Sequence, residues 1–272
     1  MKRHTQAPRR PPLTKRRITV YTVLFLLSLI TVWGLMLIRQ EPVNWYESIE
    51  RLFRYARIMF LQTKRPEYLA AGELIGALGI SVALSILTTI SGAVIAFFLA
   101  IGAARNLAPP LISQSIRSLT AVIRSVPTII WVLVFSVTVN VGTDAAVIGM
   151  CFHSIAYLVK GFSESFEHIP RDTLDALKSC GAGITGIIAQ AVIPPAAPAL
   201  ISWIFFRFEI NFINAVAIGA AAGSGGIGYH LFIAGNLYFD IPGLGFITYT
   251  IFATAVLLEM LSLRLRKKIK TC

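Results

Sequence analysis

Residues 175–195 read DALKSCGAGITGIIAQAVIPP: a short stretch, broken by glycines, ended by two prolines and only mildly apolar. It lies between two strongly apolar segments, 144–160 and 197–219. A helix crossing about 30 Å of hydrocarbon needs roughly 20 residues at 1.5 Å rise, and several runs in this chain reach that length. Of the 272 residues, 56% are hydrophobic and only 14% charged, whereas about a quarter of a soluble domain is charged. The sequence predicts an all-α polytopic membrane protein with about six transmembrane helices. The 175–195 stretch is then an interruption lying outside the bilayer.

Charge placement sets the direction. The net charge is +12, yet the first seventeen positions hold Lys2, Arg3, Arg9, Arg10, Lys15, Arg16 and Arg17 with no acid, and Arg264, Arg266, Lys267, Lys268 and Lys270 close the chain. Both clusters flank apolar runs, as cytoplasmic segments do under the positive-inside rule. They fit an orientation signal better than a nucleic-acid footprint, so a lipid bilayer and no nucleic acid is expected. The basic, proline-containing tail over 1–17 is expected to be disordered. Residues 18–38 are too long for a signal-peptide core of roughly 7–15 residues and read as a retained anchor. Residues 44–62 place Trp45, Ile49, Leu52, Phe53, Ala56 and Met59 on one helical face, as in an amphipathic helix on the outer membrane surface.

That gives an N-terminal anchor plus surface helix over 18–73, then one transmembrane domain over 74–268. Its crossings are expected at about 74–103, 126–142, 144–160, 197–219 and 245–263. Six crossings put both termini in the cytoplasm. RNLAPPLISQSIRS (105–118) reads as a cytoplasmic connection, and 219–245 as a glycine-rich outer connection or re-entrant piece. Cys151, Cys180 and Cys272 make no metal-ligand spacing, so neither a metal site nor a disulfide is expected.

Within the interruption, 161–195, Pro170 is expected to stop a short helix carrying Glu164 and Glu167. Asp172 or Thr173 then caps a second helix, with Gly181 and Gly183 letting the backbone turn. A third carries Ile184, Ile187, Ile188, Ala191 and Val192 on one stripe until Pro194 and Pro195 end it. Two short helices at an angle make a rigid knob suited to a groove on a partner protein.

This insert resembles the EAA loop of ABC-importer permeases. Asp175 and Ala176 occupy its first two positions, Gly181 its glycine, and Ala191, Ile193 and Pro194 its close. The departures are Asp175 for glutamate, Leu177 for the second alanine and Ala191 for isoleucine. LISWIFFRFEINFINAVAIGAAAGSGGIG (200–228), RSVP (124–127), His153 and SESFE (163–167) are similar to the corresponding parts of phosphonate-type permeases. Thr128, where that family often has a carboxylate, and NLYFDIPG (236–243) depart from it. The resemblance covers roughly 74–268 and implies a type I, MetI-like permease fold in a bacterial inner membrane. It also implies a subunit that pairs with a second permease chain, identical or paralogous, and with a dimer of ABC ATPases docked on the loops. An extracytoplasmic binding protein would deliver a phosphonate or related oxyanion. The chain has no G-x-x-x-x-G-K-[ST] phosphate loop. It is therefore expected to bind no cofactor, ATP being used by the partner.

Arg207 and Glu209 interrupt an apolar run, where ionisable groups are costly and pair or face an aqueous cavity. They read either as a structural ion pair or as contacts to an anionic substrate. Arg207 is the stronger candidate because a guanidinium binds oxyanions in a two-pronged fork. Arg124, near a span end, and His153 join the candidate substrate path, with interface anchoring and helix packing as their plainer roles. Asp144 is expected to cap the fourth span. Gly223, Gly225, Gly226 and Gly228 follow no strand, so they read as a tight outer turn permitting close helix approach and not as a dinucleotide fingerprint. No catalytic constellation is visible, so the chain is read as a transport subunit and not an enzyme. A secondary transporter would carry more intramembrane carboxylates or broken helices in both halves, and a membrane hydrolase would need an acid–base or metal cluster.

Overall fold

A computed structural model describes residues 15–37 and 44–271, with side chains to residue 268. The expected tail 1–17 and Cys272 therefore fall almost wholly outside the described residues. The chain divides into two compact units, 1–53 and 54–272.

The first unit holds helix α1, Lys15–Leu37, and the start of α2, Trp45–Leu61. From Ile18 onward helix α1 is almost wholly apolar on every face. Its few hydroxyls are satisfied locally. Thr19, Thr22, Ser28 and Thr31 each donate to the carbonyl four residues earlier, at 2.8–3.0 Å. A helix facing lipid needs that self-sufficiency, because hydrocarbon offers no other partner.

The second unit is a helical bundle. Helices α3 (Ala71–Ala103), α6 (Thr143–Glu167) and α9 (Ile193–Ala222) form its centre. Their contacts run through small residues, as expected where lipid supplies no hydrophobic drive and close packing holds helices together. Gly92 faces Ser154 so closely that a Cβ would stand 2.9 Å from the serine Cβ. Gly161 lies under the Trp203 indole of α9, and Gly149 brings α6 just as close to the backbone of Val132 in the neighbouring helix 128–139. Among the described residues five helices are long and apolar enough to cross a membrane, and one bent pair makes a sixth candidate.

That bent pair corrects the expected crossing at 126–142. Helix α4, Pro110–Ser125, meets α5, Thr128–Val139, at 92°. Twelve residues span about 18 Å, so α5 alone is too short to cross. The bend sits at Val126-Pro127: proline drives the residue before it out of the helical region, and Val126 is extended at φ −97°, ψ 127°. The 105–118 connection is likewise mostly helix, because Pro110 opens α4 at a position where a missing N–H costs nothing.

The insert differs from expectation in several details. Glu164 and Glu167 lie on the last turns of the 25-residue α6, not on a separate short helix. Helix α7, Arg171–Ser179, is preceded by Pro170 and has no side-chain cap, so neither Asp172 nor Thr173 caps it. Its end turns through Gly181 at φ +81°, with Ala182 N–H donating to the Leu177 carbonyl at 3.1 Å. Gly183, at φ −71°, uses none of its freedom. Pro194 and Pro195 do not end a helix. Helix α8 (Ile184–Ile187), a π-helical turn (Ile188–Val192) and α9 make one run from Ile184 to Ala222. The wide turn lies just before the prolines, where the normal i→i−4 ladder loses donors. Leu174, Ile187 and Val192 are buried with Phe162, Phe166 and Ala100, fastening the insert to the bundle. Ile184, placed on the same stripe, is exposed.

At the opposite end, α9 stops at Gly223 in the left-handed region. A short helix α10, Gly226–Phe232, and a second π-helical turn, Ile233–Leu237, lead to α11, Ile241–Thr271. A Cβ at Gly228 would strike the Val216 carbonyl oxygen, and one at Gly226 the Ser81 hydroxyl. The glycines thus let α10 lie against α9 and α3. The fourth span, α6, starts after Gly142 with no side-chain cap, so Asp144, in its first turn, does not cap it as expected. Tyr68 stacks on Tyr238 at 4.2 Å, and burial, then the nearby Asp240 carboxylate, push its phenol above the ordinary 10.

Candidate functional site

A polar layer crosses the bundle between apolar layers built around Leu84 and Met150 on one side and Ala93 and Phe162 on the other. Helix α3 presents Ser85, Thr88 and Thr89 to it, α6 presents His153 and Ser154, and α9 presents Arg207 and Asn211. The i, i+4 spacing of Arg207 and Asn211 puts both on the buried face.

Arg207 is 1% exposed. Its Nε donates to Ser154 Oγ at 2.9 Å and its Nη2 to His153 Nδ1 at 3.1 Å, while the guanidinium lies 5.1 Å from the Tyr157 ring centre. A guanidinium only donates, so Nδ1 accepts and the ring proton sits on Nε2. Thr128 Oγ1 is 3.2 Å from the same Nδ1. Ser154 passes its own proton to the Met150 carbonyl at 2.6 Å. Asn211 Nδ2 lies within 3.1 Å of Thr88, Thr89 and Ser154 hydroxyls. No ion pair among the described residues reaches Arg207.

Glu209 points elsewhere, as residues two apart on a helix must. Its Oε1 accepts from Arg266 Nη2 at 3.0 Å, and Arg266 sits 4.2 Å over the Phe206 ring. The charge of Glu209 is thus neutralised by α11, not by Arg207. Arg207 and His153 come together. Arg124, at the end of α4, adjoins them, the His153 ring hydrogen-bonding to the Arg124 backbone while the Arg124 Nε donates to the Thr120 carbonyl at 3.3 Å. Within the insert, Asp175, Ala176, Gly181 and Pro194 are exposed, whereas Ala191 and Ile193 are half-buried. Asp175 pairs with Lys178 at 3.2 Å. Ser154, Asn211, Thr88 and Thr89 were not singled out in the sequence, and Arg266 was read only as part of the C-terminal basic cluster. The recurrence of polar residues at helical spacing inside apolar runs is the signal that marks them. No group of three metal-ligating residues exists among the described ones.

Comparison with known proteins places this geometry. The chain is 30% identical over 214 residues to the phosphate-import permease protein PhnE of Mycolicibacterium smegmatis, covering 78% of this chain and 40% of that one. It is 33% identical over 159 residues to the phosphite transport system permease protein PtxC of Stutzerimonas stutzeri, covering 58% of this chain and 56% of the relative. The chain thus spans about half the length of these relatives. Among solved structures it is similar to the MetNI methionine ABC transporter in inward-facing conformations, with a TM-score of 0.65 at 17% identity over 72% of this chain and 95% of the other. An amino acid ABC transporter crystallised with histidines gives 0.60 at 16% identity, over 84% and 100%. These likenesses establish the fold. The family model for binding-protein-dependent transport system inner membrane components matches residues 92–268, more than half of the chain, and the chain belongs to that family.

Proposed function

We propose that this chain is a permease subunit of an ATP-driven importer in a bacterial inner membrane, and that it translocates a phosphorus oxyanion such as phosphite, a phosphonate or phosphate. The family is one of transport components and not of enzymes. The observation that carries the substrate class is Arg207: a guanidinium buried mid-span with no carboxylate partner among the described residues, beside His153 and Ser154. An uncompensated charge inside a membrane bundle is costly and marks a solute path, and a guanidinium matches a tetrahedral oxyanion. The phosphate and phosphite names of the relatives support the same class.

The drive comes from outside the chain. An ATPase dimer grips the insert around Asp175, Ala176 and Gly181, ATP stays with that partner, and a second permease chain, identical or paralogous, completes the pathway. An extracytoplasmic binding protein delivers the cargo. The unbroken helical run supports this mechanics. From Ile184 in the insert to Arg207 are 23 residues, or roughly 35 Å of helix, so displacing the insert displaces the helix that carries the cation. Both termini lie in the cytoplasm, where their basic clusters favour them.

The test is uptake into proteoliposomes containing the purified complex, its ATPase and its binding protein. ATP-dependent uptake of phosphite or methylphosphonate is expected, abolished by Arg207→Gln. A relative, the methionine import system permease protein MetP of Bacillus subtilis, is 28% identical over 130 residues. Methionine is therefore the comparison solute, and its uptake in place of an oxyanion overturns the substrate reading.

A further inference from the structure

At the insert end of the bundle, α4 and α6 flank a cleft of about 210 Å³. Its polar lining is built by helical spacing: Arg117, Thr120 and Arg124 on one face of α4, Lys160 and Ser163 on one face of α6. Arg117 is held in place, its Nη1 pairing with Glu167 Oε1 at 2.6 Å and reaching the Ala103 carbonyl at 3.3 Å. Lys160 Nζ lies 3.8 Å from Glu164. The Arg124 side chain makes no ion pair among the described residues, only the bond from Nε to the Thr120 carbonyl. The hydroxyl protons are spent on backbone carbonyls, Thr120 on Ile116 at 2.9 Å and Ser163 on Lys160 at 3.0 Å.

The donors left to a ligand are therefore cationic. Three cations face two carboxylates, which leaves the cleft net positive. Its volume exceeds several times the roughly 30 Å³ share of one water, enough for a tetrahedral anion and its remaining hydration. The cleft also connects to the buried cluster. Arg124 lies four residues before Thr128, whose hydroxyl is 3.2 Å from the histidine nitrogen that Arg207 engages.

We propose that this cleft is a second oxyanion site, taking a phosphoryl or phosphonyl group through Arg124 and Lys160, with Arg117 as the fixed wall. Two sources carry that chemistry: cargo leaving the Arg207 layer, and the headgroup of an anionic phospholipid. The role as an exit station rests on the import reading above; the binding chemistry does not.

The permease–ATPase complex is placed in nanodiscs of phosphatidylcholine, with and without phosphatidylglycerol. Inorganic phosphate binding is measured in the Arg207→Gln background, which removes the first site, with and without the added pair Arg124→Gln and Lys160→Gln. Arg117 is left intact because it anchors Glu167, and size-exclusion profiles confirm that each complex is assembled. A free-oxyanion site predicts saturable phosphate binding that the pair weakens at least tenfold and Arg124→Lys weakens less. A headgroup site predicts that the pair loses phosphatidylglycerol retained in native mass spectra. Equal phosphate affinity and equal lipid retention in both proteins overturn the proposal. If no phosphorus oxyanion is imported while Arg124-dependent binding persists, the import reading fails and the cleft stands; import with an unaffected cleft gives the reverse.

Discussion

Replacing Arg207 by methionine separates a transport role from a structural one. The substitution removes two charge-assisted hydrogen bonds, to Ser154 and His153, each worth about 1.5–3 kcal/mol. It also removes a buried cation that no carboxylate among the described residues balances, a burden of several kcal/mol. Nothing polar is orphaned, since Ser154 still donates to the Met150 carbonyl and His153 keeps the Thr128 hydroxyl. The opposing terms cancel to within about 2 kcal/mol, so the melting temperature of the detergent-purified chain should move by a few degrees at most. Uptake is another matter. A two-pronged contact to an oxyanion supplies about 3 kcal/mol, or roughly 150-fold in uptake efficiency at 1.36 kcal/mol per decade. Arg207→Lys keeps the charge but loses the fork, so an intermediate loss of about tenfold is expected. Glu209→Gln supplies the contrast. It strands Arg266, whose side chain is 11% exposed, at about 3–5 kcal/mol, and should lower the melting temperature by on the order of 10 °C. The reasoning is refuted if Arg207→Met imports within twofold of wild type, or if its loss of uptake merely tracks a lost folded fraction.

Three further perturbations follow from the geometry. Gly228→Ala drives a methyl group into the Val216 carbonyl and should cost about 1–3 kcal/mol, read as a lower melting temperature; an unchanged melt means α10 is not seated on α9. Gly181→Ala meets no neighbour within 4 Å, so its cost is the left-handed backbone alone, about 1–2 kcal/mol. Import should fall several-fold while the melting temperature drops by only a few degrees, and full activity shows that the insert's turn is not needed for coupling. The raised Tyr68 phenol means the folded state favours its neutral form. Its contribution is complete below the ordinary value of 10 and is lost as pH climbs through the raised value, so Tyr68→Phe should flatten the alkaline limb of a melting-temperature profile.

Much of this was legible in the sequence because membrane helices declare themselves by run length. The first span and those at 74–103, 144–160 and 197–219 coincide with helices, and the close approach of Gly226 and Gly228 follows from residues that lack a Cβ. What misled was proline. Pro194 and Pro195 read as a stop, but proline breaks a helix only where a donor is needed, and a π-helical turn before them lets the run continue. Pro110 likewise opens α4, whose amphipathic face has no long apolar run to announce it. The polar layer was half visible. Arg207 and His153 stand out singly, whereas serine, threonine and asparagine in apolar helices satisfy themselves on their own backbone too readily to signal a shared cluster. Nor can spacing along one helix reveal that Glu209 is matched by Arg266, because that pairing is made by tertiary packing of α9 on α11.

The central claim is that the stretch around residue 180 is a cytosolic handle for an ATPase, and the chain carries its own reporter there. Cys180 is exposed in the insert, while Cys151 is partly buried in α6. With Cys272 replaced by serine, a membrane-impermeant maleimide applied to intact cells should leave Cys180 unlabelled. In opened membranes it should label Cys180 rapidly without the ATPase subunit and at least tenfold more slowly with it. Labelling of Cys180 in intact cells, or a rate indifferent to the ATPase, contradicts the account.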